Sequence, residues 1–230
     1  MKRIGHKGAD HVAPGNTIAS FEAALEHGVD MIEFDVLRLR DGRIVLAHDY
    51  PDAASREPLM LEEGLDHFAG KAYADVELDV DLKLPGYERE VVDALLERGL
   101  EERALVSTTY LESLAELGRL RPGLRRGWSV PRVRRDYTRT ALALPAYAVA
   151  RWWRARLPGR AGALIGAGGA EAVMAHWLLM SPRLADAVHG AGGQLYLWTV
   201  DDPRRLAAYE ALGVDGVITN DPRLFEAMPA

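Results

Sequence analysis

The chain contains no cysteine, which excludes a disulfide scaffold and thiolate metal sites. It lacks any run of about 18 apolar residues, so no membrane-spanning helix is expected. No apolar stretch follows Met1-Lys2-Arg3-Ile4-Gly5-His6, so the start does not read as a secretory signal and a cytoplasmic setting is expected. No recognised nucleic-acid-binding module is present. What remains is an ordinary globular composition: 230 residues, 48% apolar and 27% charged. That suffices for a sizeable core in a single domain over 1–230, a size at which α/β barrels form one unit. The net charge of −6 hides an asymmetry. Residues 118–161 hold twelve Arg and one Asp, a charge of +11, which leaves −17 on the rest. Such a split points to an anionic partner for that segment.

The informative residues are titratable side chains set into stretches that otherwise read as buried strands. In Met31-Ile32-Glu33-Phe34-Asp35-Val36, strand alternation puts Glu33 and Asp35 on one face and Ile32, Phe34 and Val36 on the other. Leu78-Asp79-Val80-Asp81-Leu82-Lys83-Leu84 repeats the pattern, with Asp79, Asp81 and Lys83 sharing a face. Buried carboxylates without partners are too costly to keep. Two of them about 4 Å apart repel by roughly 4 kcal/mol at an effective dielectric of 20. Three converging on one mouth need a cation or a proton, and all-oxygen ligands favour Mg²⁺, Ca²⁺ or Mn²⁺ over zinc.

Apolar runs and helical patterns alternate along the chain, the signature of repeated βα units over a parallel sheet. Strands are expected at 2–6, 29–36, 77–84, 104–107, 125–130, 177–180, 194–200 and 215–219, with a hairpin partner at 43–47. Asn16 or Thr17 caps the first helix and is read as a cap, not as chemistry. Residues 50–75 form a polar insertion after the second strand with one short helix, and a helix is expected over 138–154. Eight strands with intervening helices imply a (β/α)8 TIM barrel, whose functional groups sit at the carboxyl ends of the strands. His6, Asp35, Lys83 and Trp198 fall there. His176 is read as opening its strand and therefore as structural, and Asp79 as lying one pleat below Asp81 on the same face.

The ordered motifs His6-Lys7-Gly8, Pro14-Gly15-Asn16-Thr17, Ser20-Phe21, Gly28-Val29-Asp30, Ile32-Glu33-Phe34-Asp35-Val36, Asp41-Gly42 and His48-Asp49 resemble the amino-terminal pattern of the glycerophosphodiester phosphodiesterase family. Trp198-Thr199-Val200 and Gly213-Val214-Asp215-Gly216-Val217-Ile218-Thr219-Asn220-Asp221-Pro222 resemble its carboxyl-terminal pattern. The likeness spans nearly the whole chain and is weakest across 50–75 and 131–175. It implies divalent-metal-dependent hydrolysis of a glycerol-bearing phosphodiester, with His6 and His48 as general acid and base. It implies metal ligation by Glu33, Asp35 and Asp81, phosphate contacts from Lys7 and Lys83, and an aromatic substrate contact from Trp198. The nucleophile implied is the substrate's own glycerol hydroxyl or a water. The chain departs from the family in having Lys7 for the usual Arg and Asp81 for the usual Glu. Lys cannot make the bidentate, planar phosphate contact of Arg.

Three readings follow. The first is a glycerophosphodiester phosphodiesterase, and the second a lysophospholipase D on the same fold. In the second, the Arg-rich segment 131–160 docks at the inner membrane face through 131–157, where Arg151-Trp152-Trp153-Arg154 places tryptophans beside arginines. The third is a phosphodiester-binding barrel that has lost turnover, motivated by Lys7 and Asp81.

Overall fold

Period-two alternation gives each strand an inner and an outer face, and the apolar stripes of the helices cover the outer faces. The computed structural model describes residues 1–132 and 143–227, with side chains except at 143–148 and 227. In chain order the elements are β1 (Lys2–Gly5), α1 (Ile18–Glu26), β2 (Met31–Arg38), β3 (Ile44–Leu46), α2 (Tyr50–Ser55), α3 (Leu61–Phe68), β4 (Glu77–Leu82), α4 (Glu88–Glu97) and β5 (Ala104–Thr108). Then come α5 (Leu111–Leu120), β6 (Arg125–Val130), α6 (Ala143–Gly166), β7 (Ala172–His176), α7 (Pro182–Gly190), β8 (Gln194–Trp198), α8 (Leu206–Ala211) and β9 (Gly216–Thr219). The strands pair in the order β1-β9-β8-β7-β6-β5-β4-β2, and β1 also pairs with β2, which closes a parallel barrel. β3 is the expected hairpin partner, antiparallel on β2. The fold is a (β/α)8 barrel.

The barrel interior is layered. At the amino-terminal end Lys2 and Arg125 both pair with Glu77, the latter at 2.6 Å. Above them lie Ile4, Met31, Leu105, Ala172, Met174, Tyr196 and Ile218, capped by Trp198. Gly127 belongs to this inner face because a Cβ there would sit 2.8 Å from Leu105 Cδ2. The carboxyl-terminal layer is polar and carries the site.

The insertion is more ordered than its composition suggests, with two helices, α2 and α3, where one was expected. Three of the four phenylalanines fasten it to the barrel. Phe68 on α3 lies 4.7 Å from Phe21 on α1 and 5.1 Å from Phe34 on β2, centroid to centroid. Such pairs contribute roughly 0.5–1.5 kcal/mol beyond their buried area. Arg56, just after α2, donates to the carbonyl of Gly15 at 3.1 Å and so ties the insertion to the loop after β1.

Two expectations are corrected. The strand placed at 177–180 is β7, Ala172–His176, and Trp177–Leu179 is a 3₁₀ turn. The alanine-rich segment Ala172-Val173-Met174-Ala175 has weak β-propensity, but its neighbours in the closed sheet impose the strand. His176 therefore ends its strand instead of opening it, and it lies at the functional mouth. The helix expected over 138–154 falls partly outside the described residues, and its described part belongs to α6, which continues to Gly166.

Candidate active site

Glu33 and Asp35 on β2 face inward, and the β2–β4 register sets Asp35 opposite Asp81. Glu33, Asp35 and Asp81 each offer a carboxylate oxygen, and these oxygens all lie within 4.8 Å of one another. Asp35 is fully buried. Lys83, one residue past β4, sets its ammonium against both Asp35 and Asp81. Burial works to raise the Asp35 carboxyl, but Lys83, His48 and Lys7 reverse this and hold it well below its usual range. Burial and the adjacent Asp35 push Glu33 well above its usual value. Burial also works against the Lys83 ammonium, but Asp35, Asp81 and Glu33 overcome that and keep it charged.

The cluster thus carries more negative charge than Lys83 neutralises, and the upward shift of Glu33 eases that excess by favouring its protonated form. Asp35 Oδ1 lies against the Lys83 ammonium, and each oxygen of the three carboxylates has a second lone pair to offer. Converging carboxylates with free lone pairs are the donor set of a hard divalent cation, and the residues fit one. Asp79, one pleat below, stands outside the trio. Burial and Asp81 push its carboxyl up to about 8.

His6 follows β1 and faces the same trio, with Nε2 3.8 Å from Glu33 Oε2. Its Nδ1 lies 2.5 Å from Asn220 Oδ1. Asn220 Nδ2 in turn meets Asp201 Oδ2 at 2.7 Å. A carboxylate oxygen only accepts, so the amide NH₂ must face Asp201 and the amide oxygen must face His6. His6 Nδ1 therefore donates, and Nε2 keeps a free lone pair toward the acidic trio. Burial and then the nearby Lys7 lower the pKa of His6, which favours the neutral ring.

The loop after β1 is held as tightly. Lys7 has φ +50°, unusual for a side-chain-bearing residue, and its N–H donates to Glu33 Oε2 at 2.8 Å. Gly8, at φ +87°, has no room for a Cβ, which would fall 2.5 Å from Ser20 Oγ. Asn16, at φ +58° and fully buried, donates from Nδ2 to Asp35 Oδ2 at 2.8 Å and accepts from the Asp35 N–H at 3.0 Å. The helix cap is Thr17 alone, so reading Asn16 as a cap is corrected. It is the residue that aims Asp35.

His48 sits just past β3 at the rim, its side chain half exposed, with Nδ1 3.3 Å from Asp49 Oδ2. It lies near enough to contribute to the low Asp35 pKa. The Lys7 ammonium lies 3.5 Å from Asp10. Trp198 lies on the opposite, β8 side, its indole N–H bonded to the Met174 carbonyl at 2.8 Å and its ring edge-on to His176, with centroids 5.0 Å apart. The structure thus gathers Glu33, Asp35, Asp81, Lys83 and His6, sets Lys7 and His48 around them, and leaves Trp198 across the mouth.

The model of the glycerophosphoryl diester phosphodiesterase family matches residues 6–57 and 86–224. The chain belongs to this family. A glycerophosphodiester phosphodiesterase of Caldanaerobacter subterraneus subsp. tengcongensis is 26% identical over 251 residues, spanning 95% of this chain and 93% of that protein. Among solved structures, a glycerophosphodiester phosphodiesterase of Agrobacterium tumefaciens superposes with TM-score 0.72 at 20% identity, covering 99% of this chain and 100% of the other. A phosphodiesterase of Oleispira antarctica, in complex with the product sn-glycerol-3-phosphate, also gives TM-score 0.72 at 20% identity, covering 99% and 96%. The family match skips 58–85, which contains Asp81 and Lys83, so the geometry alone brings those two residues to the site.

Asn16, Asn220 and Asp201 were missed as functional residues. One signal was available: the chain has two asparagines, and both are here. Asn16→Gly keeps the left-handed backbone but strips Asp35 of both amide partners. It is expected to lower unfolding free energy by about 1–3 kcal/mol in chemical denaturation. It is also expected to weaken divalent-cation affinity about 10–100-fold in titrations.

Proposed function

We propose that the chain hydrolyses glycerophosphodiesters to glycerol phosphate and an alcohol, with a divalent cation held by Glu33, Asp35 and Asp81. The observation that carries this reading is the carboxylate trio beside His6, whose Nδ1 is held by Asn220 and whose Nε2 faces the trio. When bound, Mg²⁺, Ca²⁺ or Mn²⁺ supplies charge that neutralises the non-bridging phosphate oxygens. Lys83 and Lys7 set positive charge against the negative charge of the phosphodiester and against the further negative charge that develops in the transition state. His6 Nε2 accepts the proton of the attacking hydroxyl or water. His48, braced by Asp49, gives a proton to the departing alkoxide. Each proton transfer contributes roughly 10²–10⁴-fold. The Oleispira structure with sn-glycerol-3-phosphate supports the product class.

The test is product analysis on a panel of glycerophosphodiesters and lysolipids, with and without chelator. Glycerol phosphate and free alcohol are expected only when a divalent cation is present. His48→Ala is expected to lower kcat about 10²–10⁴-fold, with a thermal midpoint within the range of ordinary surface changes. Binding of phosphate esters without release of product contradicts the reading and favours a barrel that has lost turnover.

A second reading, peripheral contact with a membrane, draws on α6. Trp152 is 49% exposed and Val149 56% exposed, among the exposed Arg151, Arg154 and Arg156, whereas Trp153 packs inward against the core. Among the described residues no helix is long and apolar enough to cross a membrane, so contact would be at the surface. Arg134 and Arg135 lie outside the described residues. Wild type is expected to co-sediment with anionic vesicles at low salt and Trp152→Ala to do so less. Both proteins staying in the supernatant contradicts it.

A further inference from the structure

The half of the mouth built by β5 to β8 carries no part of the acidic trio, yet it is lined by ring systems and guanidinium groups. Tyr110 follows β5, Arg132 follows β6, His176 ends β7 with Trp177 next, Trp198 ends β8 and Arg205 follows it. Tyr110, Arg132, His176 and Trp198 lie at or just past the carboxyl ends of parallel strands and so share the rim with the site, and Arg205, in the turn between β8 and α8, meets them at Trp177. Trp198 caps the lumen, and His176 and then Trp177 lead outward from it at centroid spacings of 5.0 and 5.6 Å. The Arg205 guanidinium lies 3.7 Å from the Trp177 ring centroid. The Arg132 guanidinium lies 4.3 Å from the Tyr110 ring centroid, and its Nη2 donates to the Tyr110 hydroxyl at 2.9 Å.

We propose that this wall receives the alcohol arm of the substrate and selects arms bearing an anionic group over those bearing a quaternary ammonium. The inference rests on the phosphodiesterase reading above. A quaternary ammonium is held by open aromatic faces. Here guanidinium groups already occupy one face of Tyr110 and one of Trp177, so a second cation meets like charge. Stacking leaves the in-plane N–H donors of a guanidinium pointing outward, and those that Arg132 does not give to the Tyr110 hydroxyl can meet a carboxylate or phosphate.

The charges on this wall leave a positive surplus. Arg204 takes the Asp202 carboxylate through two bonds of 2.9 Å, and Arg205 approaches the same group at 3.5 Å, so two guanidiniums share one carboxylate. Asp201 accepts bonds from the uncharged Thr219 and Asn220, which do not neutralise it, so the three guanidiniums of Arg132, Arg204 and Arg205 stand against the two carboxylates of Asp201 and Asp202. No carboxylate among the described residues lies within 4.0 Å of the Arg132 guanidinium. With the scissile phosphate over the acidic trio, an ester arm reaching across the mouth ends on this surface.

The experiment compares kcat/KM for glycerophosphocholine and for a glycerophosphoinositol monophosphate, using the full chain with its divalent cation. The phosphorylated arm is expected to be favoured by about tenfold or more at low salt, narrowing as salt screens the wall. In the Arg132→Gln/Arg205→Gln double variant the ratio is expected to move toward one, mainly through KM of the anionic substrate. Equal or better use of glycerophosphocholine overturns the proposal, as does a ratio that the double variant leaves unchanged. Failure to turn over either substrate is a different result. It overturns the phosphodiesterase reading, and the selectivity falls with it.

Discussion

The structure depends on one unfavourable arrangement, the convergence of Glu33, Asp35 and Asp81 within 4.8 Å at the carboxyl-terminal mouth of a closed parallel barrel. Like charges so close repel by several kcal/mol even in a moderately polar medium. The fold tolerates them because Lys83 lies against two of the three and because Glu33 can hold a proton. The same tension makes the site useful. A group that is strained by excess negative charge and has oxygen lone pairs to spare binds a hard cation in proportion to that strain.

Geometry keeps the carboxylates from relaxing apart. Barrel closure fixes the β2–β4 register, which sets Asp35 beside Asp81. Asn16 then pins the Asp35 carboxylate and backbone together, and the N–H of Lys7 pins Glu33. Both pinning residues adopt positive φ, and the loop that bears them packs on α1 through Ser20. A second relay, Asp201 to Asn220 to His6, sets which imidazole nitrogen is free. Two independent supports therefore converge on the same few cubic ångströms, one orienting the acids and one the base.

Much of this was legible in the sequence. Alternation in Met31-Ile32-Glu33-Phe34-Asp35-Val36 put the two acids on one face, and helix 111–120 and strand 125–130 end where their apolar patterns end. Long-range pairing was not legible. Strand β7 is alanine-rich, so its neighbours, not its own propensity, make it a strand, and that misplaced His176. Asn16 precedes a helix and looked like a cap, because nothing local tells that its amide reaches a carboxylate nineteen residues on. Composition held a clue that periodicity did not. Of four lysines in a chain with twenty-four arginines, two stand at this site, as do both asparagines. A compact ammonium at Lys83 contacts two carboxylates at once, where a planar guanidinium would favour one in bidentate fashion.

The central claim is that these acids lack a positive charge that a divalent cation supplies. Calorimetric titration of the chain with Mg²⁺, Ca²⁺ or Mn²⁺, in buffers of differing ionisation enthalpy, tests it most directly. One cation per chain is expected, with protons released as Glu33 ionises, and Glu33→Gln is expected to abolish the proton release and weaken binding. No uptake of any of the three ions, or uptake that Glu33→Gln leaves unaltered, contradicts the account.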